Sequence, residues 1–185
     1  MINQLLIDHD HIIKTLNLLE VQFLDLCRDR KTDLSTMRSI LAYIQEFPEQ
    51  THHPLEDMVY SILLQREEKV KLLHNLISDH TDLETVTHKL SESLESYINN
   101  ELSQEELKHQ LSIFLTRQRQ HIYIEEIEIY PVAERVLTIN DWEKIRTSIP
   151  VRNDPIFGRR SQDNYELVYR EIMGNKDKTT KDVRL

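Results

Sequence analysis

Leu5, His9, Ile12, Leu16, Leu19, Phe23 and Leu26 follow one another in steps of three and four, the spacing of one face of an α-helix. The rhythm returns three more times. It runs through Ile40, Ile44, Phe47, Leu55, Val59 and Ile62, then through Leu73, Leu76, His80, Leu83, Val86 or Thr87, Leu90 and Leu94. Its last run is Leu107, Leu111, Phe114, Gln118, His121 and Glu125. No segment alternates as a half-buried strand does. Only two glycines and five prolines interrupt 185 residues, so good helix formers fill long windows. An amphipathic helix cannot hide its own apolar stripe. The expected fold is all-α: an up-down-up-down four-helix bundle with short C-terminal helices packed on it.

The polar segments between the stripes set the expected boundaries. The first helix runs from Asn3 to Cys27 and ends in the polar turn 28–33. The second spans Ser35 to Leu64, where Pro48 and Pro54 predict a kink or a restart with Thr51 as cap. Gln65–Lys69 is the next turn, and the third helix reaches Asn99. Ser103 and Glu106 read as a capping box that opens the fourth helix, which ends near Leu137. The bundle therefore occupies residues 1–138. Residues 139–185 form an extension of the same domain. Within it Asn140 and Glu143 suggest a second capping box, Ser148–Gly158 reads as irregular and Asn164–Met173 as a last helix. Tyr165, Val168, Ile172 and Tyr169 offer that helix an apolar face, and the polar tail from Gly174 is expected to fray.

A formal net charge of −9 disfavours a nucleic-acid partner, whose phosphates need a basic face. No run of 18 apolar residues is present, so no membrane span is expected. No basic segment followed by an apolar one suggests a leader. Cys27, the single cysteine, fits a reducing cytoplasm. A monomer and a homodimer both remain open.

The histidines decide the functional reading. With turns placed near residues 31, 66 and 101, His9 and His52 lie about 22 and 21 residues from the first. His52 and His80 each lie about 14 from the second, and His80 and His121 about 21 and 20 from the third. At roughly 1.5 Å per residue these four histidines, one per helix, fall within about 2 Å of one level. His11, His53, His74, His88 and His109 do not fit that level and inner face, and read as solvent-facing or supporting groups. His52–Glu56 and His121–Glu125 are each one helical turn apart, so both members of a pair can point at one centre. Imidazole with carboxylate suits iron, manganese or zinc, and two facing carboxylates can bridge two ions. Glu84, one turn after His80, is a further candidate ligand. Glu126 and Asp57 sit one step from the ligands and read as supporting groups. Asp8 is a candidate acceptor for a histidine ring hydrogen, and Glu20 reads as a channel or flank residue. Val59, Leu83 and Ile124 would keep water out, and Tyr60 or Tyr123 could act as a donor.

The segments Asp8–Glu20, Tyr43–Asp57, Leu76–Glu84 and His121–Leu137 resemble the four helices of bacterial hemerythrin-like proteins, the HHE cation-binding domain family. The likeness extends to the downstream "NDW" and "NDPIFG". It implies a non-haem di-iron centre held by His9, His52, Glu56, His80, His121 and Glu125. Glu56 and Glu125 would bridge two iron ions, and an oxo or hydroxo group would complete the bridge. Manganese or zinc are the alternative metals. The oxygen-carrying members use a second histidine on the third helix and a His-x-x-x-x-Asp on the fourth. Here Leu76 and Glu84 flank His80, and the fourth helix carries a shorter His-x-x-x-Glu. That departure points away from simple oxygen carriage. The expected function is binding of dioxygen or a related small oxidant for sensing, storage or protection. The enzymatic alternatives are reduction of peroxide or nitric oxide, or iron–sulfur cluster repair. For the repair branch, the expected N-terminal cysteine segment is missing before His9. A metal-stabilised helical interaction module is the third reading.

Overall fold

The computed structural model describes residues 2–66, 69–148, 153–158 and 163–179. Those residues are helical throughout, apart from turns. The first helix, α1, spans Ile2–Cys27, and Asp29 in the turn that follows takes the left-handed conformation at φ 52°. Asp33 caps α2, Leu34–Glu46, by accepting from the Ser35 and Thr36 amides at 3.0 and 3.1 Å. The Asp33 amide in turn donates to Gln22 Oε1 at 2.9 Å. That bond accounts for a buried glutamine where the periodicity offered Phe23.

Pro54 does not break the second helix. A π-helical segment, Pro48–His52, leads directly into α3, His53–Gln65. The amides of His52 and His53 reach back five residues, to the carbonyls of Phe47 and Pro48. One extra residue in the turn absorbs the register change that the proline imposes. The expected restart with Thr51 as cap is therefore corrected: the Thr51 hydroxyl has no partner. α4 follows as Val70–Ile98. The device recurs after α5, Gln104–Ile124, where a π segment at Glu125–Ile129 precedes Pro131 in α6, Tyr130–Val136.

Ser103 and Glu106 form the expected capping box. The second proposed box is corrected. The Thr138 amide donates to Asp141 Oδ2 at 2.8 Å, and the Asp141 amide to Thr138 Oγ1 at 3.3 Å, so this pair opens α7, Ile139–Ser148. Glu143 instead pairs with Arg146. Of the irregular stretch, residues 149–152 lie outside the described residues. In 153–158, Asp154 accepts from the Ile156 and Phe157 amides and from Tyr43 Oη, and pairs with His11 at 3.0 Å. After a short 3-10 turn, α8 runs Glu166–Thr179 and packs on α1 and α2. It extends past the expected end at Met173, and the remainder of the polar tail lies outside the described residues.

Two apolar clusters hold the helices together. One joins Ile12–Leu26 of α1, Met37–Phe47, Leu90 and Leu94 of α4, Leu107–Ile122 of α5, and α8. The other joins Ile2 and Leu5, Val59–Leu63, Leu73 and Leu76, Ile129–Leu137, and Ile145 of α7. Between them each long helical stretch contributes a short polar interval. Among the described residues no helix is long and apolar enough to cross a membrane.

Losing a helix cap costs about 1 kcal/mol. Urea unfolding of the metal-free protein is expected to show a loss of that size for Thr138→Ala and almost none for Asn140→Ala. The reverse order would restore the box read from the sequence.

Candidate metal centre

The polar interval between the two clusters is filled by His9, His52, Glu56, His80, His121 and Glu125. All six are buried, and the two glutamates have no exposed surface. Residues read from four separate helical stretches thus share one layer. Glu56 Oε1 lies 3.5 Å from His9 Nε2 and 3.3 Å from His52 Nε2, while its Oε2 lies 3.5 Å from His80 Nε2. Glu125 repeats the arrangement: Oε2 is 3.3 Å from His9 Nε2, and Oε1 is 3.5 Å from His80 Nε2 and 3.0 Å from His121 Nε2. Each carboxylate therefore turns one oxygen to each group of imidazoles.

The outer nitrogens are held by a second set of acids. Asp8 beside His9 faces His52 Nδ1 at 3.3 Å, and Asp57 beside Glu56 faces His80 Nδ1 at 2.8 Å. Asp79 beside His80 faces His121 Nδ1, and Glu126 beside Glu125 faces His9 Nδ1, both at 3.0 Å. The bonds close a circuit: α1 to the π segment that leads into α3, α3 to α4, α4 to α5, and the segment after α5 back to α1. Such outer carboxylates fix each ring so that Nε2 points inward. Asp8, Asp57 and Glu126 were legible as supporting groups. Asp79 was missed, although it stands next to a ligand as the other three do. Arg117 pairs with Asp79 on its outer side.

His53 is the main correction. It is buried, not solvent-facing, and stacks on His80 with ring centroids 4.3 Å apart and planes 3° from parallel. The π segment ending at His52 adds a residue to the turn and so brings two consecutive positions inward. Among the described residues, two groups place one donor atom per residue within 4.8 Å of each other: His53, Glu56, His80 and His121, and His9, His52 and Glu56. Glu125 and Glu84 belong to neither group; Glu125 is buried in the layer, whereas Glu84 is exposed. His74, His88 and His109 are also exposed, and Glu20 pairs with Arg119 near the surface. Tyr123 faces solvent. Tyr60 reaches the layer and donates to Glu125 Oε1. Tyr130, which the sequence reading missed, donates to Glu56 Oε1.

The donor atoms fit cations. His52, His80 and His121 each leave Nε2 buried without a hydrogen-bond partner, as do Oε2 of Glu56 and Glu125 and Nδ1 of His53. A buried polar atom without a partner is costly. Two donors at about 2.1 Å from one ion and at right angles lie roughly 3.0 Å apart, close to the separations seen here. These buried histidine and glutamate clusters can hold a metal ion.

Charge balance without metal falls to protons. Burial alone would lower the pKa of His9, but Glu125 and Glu56 outweigh it and raise it to about 10. Burial is likewise outweighed at His80, by Asp57, Glu125 and Glu56, to about 12. At His121 it is outweighed by Glu125 and Asp79, to about 9. Burial pushes Glu56 and Glu125 up, yet the surrounding imidazoles hold both well below the carboxylate range. His53 stays neutral, because burial and its histidine neighbours lower it.

Comparison with protein-family models gives no match for this chain, and comparison with curated proteins gives none either.

A metal and a proton compete for the same Nε2 atoms. Binding of a divalent cation at neutral pH is therefore expected to release protons and to weaken as pH falls from 8 to 6. Calorimetry in buffers of different ionisation enthalpy reads both effects, and proton-neutral binding would contradict the donor set. His121→Ala is expected to lose most bound metal while His109→Ala keeps it. Asp79→Asn should weaken binding about 10- to 100-fold, the range for an outer-shell partner.

Proposed function

We propose that this chain is a hemerythrin-like protein of the HHE cation-binding type. In this reading it is an up-down-up-down four-helix bundle that holds two iron ions and binds dioxygen or a related small oxidant, for sensing, storage or protection. The bundle topology is supported by the two apolar clusters. They draw on opposite ends of successive helical stretches: Leu5 then Ile12 onward in α1, Met37–Phe47 then Val59 onward in the second stretch. The order reverses again in α4 and in the stretch begun by α5.

One observation carries the di-metal reading. Glu56 and Glu125 each divide their two oxygens between His9 on one side and His80 on the other. A mononuclear site has no use for two carboxylates split in that way. Mixed imidazole and carboxylate donors suit iron. Two ferrous ions, if held by these six residues, would supply two electrons to a small oxidant. The chain's own part is to orient the imidazoles through Asp8, Asp57, Asp79 and Glu126, to bring in His53, and to exclude bulk water with Val59 and Leu83, both fully buried.

Iron content and optical spectra of the purified protein test the reading. Close to two irons per chain are expected, with a visible band that changes on reduction and again on exposure to oxygen or peroxide. A reversible oxygen-dependent band supports binding. A chain that takes up zinc alone, with silent optics, would overturn the iron assignment in favour of a metal-stabilised module.

A further inference from the structure

Two buried tyrosines flank the acids of the layer in a crossed arrangement. Tyr60 lies one turn after Glu56 but donates to Glu125. Tyr130 follows Glu125 but donates to Glu56, with its hydroxyl 3.0 Å from His9 Nε2. The spacings are four and five residues, and the π segment at Glu125–Ile129 absorbs the difference. Each ring lies against a ligand histidine: Tyr130 on His9 at 5.2 Å and 19°, Tyr60 on His80 at 5.8 Å and 22°. Both are almost wholly buried. Packing alone would be served by phenylalanine, since a buried hydroxyl is costly without a partner. Here both hydroxyls are directed at the acids that divide the two groups of imidazoles. Tyr43, by contrast, spends its hydroxyl on Asp154, in the contact that seats residues 153–158.

We propose that Tyr60 and Tyr130 are built-in electron donors, each giving one electron and one proton when hydrogen peroxide is reduced at the centre. The inference rests on the redox-active metal reading above. Two phenols and one hydrogen peroxide become two phenoxyl radicals and two waters. The O–O bond and both phenolic O–H bonds break, and each peroxide oxygen gains one proton and one electron. Any resident ion ends in the oxidation state in which it began. Each phenolic proton leaves along an existing hydrogen bond, to Glu125 from Tyr60 and to Glu56 from Tyr130. Burial keeps both radicals away from solvent. The device spends the protein's own side chains to destroy one peroxide when no external reductant is at hand.

The test is rapid-freeze electron paramagnetic resonance of iron-loaded protein mixed with one equivalent of hydrogen peroxide, with iron measured for every variant. The wild type is expected to give a phenoxyl signal that narrows when its tyrosines are ring-deuterated. Tyr60→Phe and Tyr130→Phe should each lose about half of it, and the double variant all of it, at unchanged iron content. Tyr123→Phe should leave it intact. An iron-replete wild type without the signal, or a signal that survives the double variant, overturns the proposal and leaves the metal reading standing. Iron loss in either phenylalanine variant assigns the hydroxyl to holding its carboxylate, and also overturns it. A wild type that takes up no iron overturns both readings.

Discussion

Two ionised carboxylates sit in a dry interior, and the arrangement around them answers that cost. An isolated charge there is prohibitive, and a paired one is tolerated only when its remaining lone pairs are satisfied. Four inward-facing imidazoles lie within 3.5 Å of Glu56 or Glu125 and two phenol hydroxyls donate to them, yet one oxygen of each carboxylate still lacks a hydrogen-bond partner. Positive charge enters as protons or as metal ions. Either way the layer is a polar seam across a molecule otherwise assembled from apolar stripes. The helices must present their acids and bases at one height, which makes turn length and helix register matters of chemistry as well as packing.

The seam also shows what a single sequence reveals. Helical periodicity and polar turns place the long helices to within a few residues, because each stripe must be buried and each turn must expose backbone to water. The level of His9, His52, His80 and His121 follows from that simple geometry. His53 does not. Uniform α-helical phase turns it about 100° from His52, and only the inserted residue of the π segment brings it inward. Tyr130 escaped notice for the same reason, since it lies five residues after Glu125 and not four. The signal lay in the prolines: Pro54 and Pro131 each follow a π segment by two residues. Pro54 reads as an interruption and Pro131 as part of an unbroken helix, and in the folded chain both mark where register is shifted.

The supporting acids were partly legible. An acid stands directly beside a ligand at Asp8, Asp57, Asp79 and Glu126, yet none serves its neighbour in sequence. Each reaches the histidine of another helical stretch. Adjacent positions on a helix point in different directions, so the neighbour is out of reach and the next helix is in range. That crossing pattern is a property of the assembled layer, which a reading of one helix at a time does not contain. Thr138 and Asp141 make the same point on a smaller scale. Two overlapping cap signals differ by two residues, and the choice goes to the one whose acid also meets Arg66.

Because the seam separates the two apolar clusters, the molecule has two greasy ends and one polar waist. Each end can melt on its own unless the waist ties them together. An ion gripped from every side is such a tie, and protons shared among imidazoles are a weaker one. A cation bound there would couple the two ends, so that amide hydrogens far apart in the molecule would exchange through one shared opening in place of two local ones.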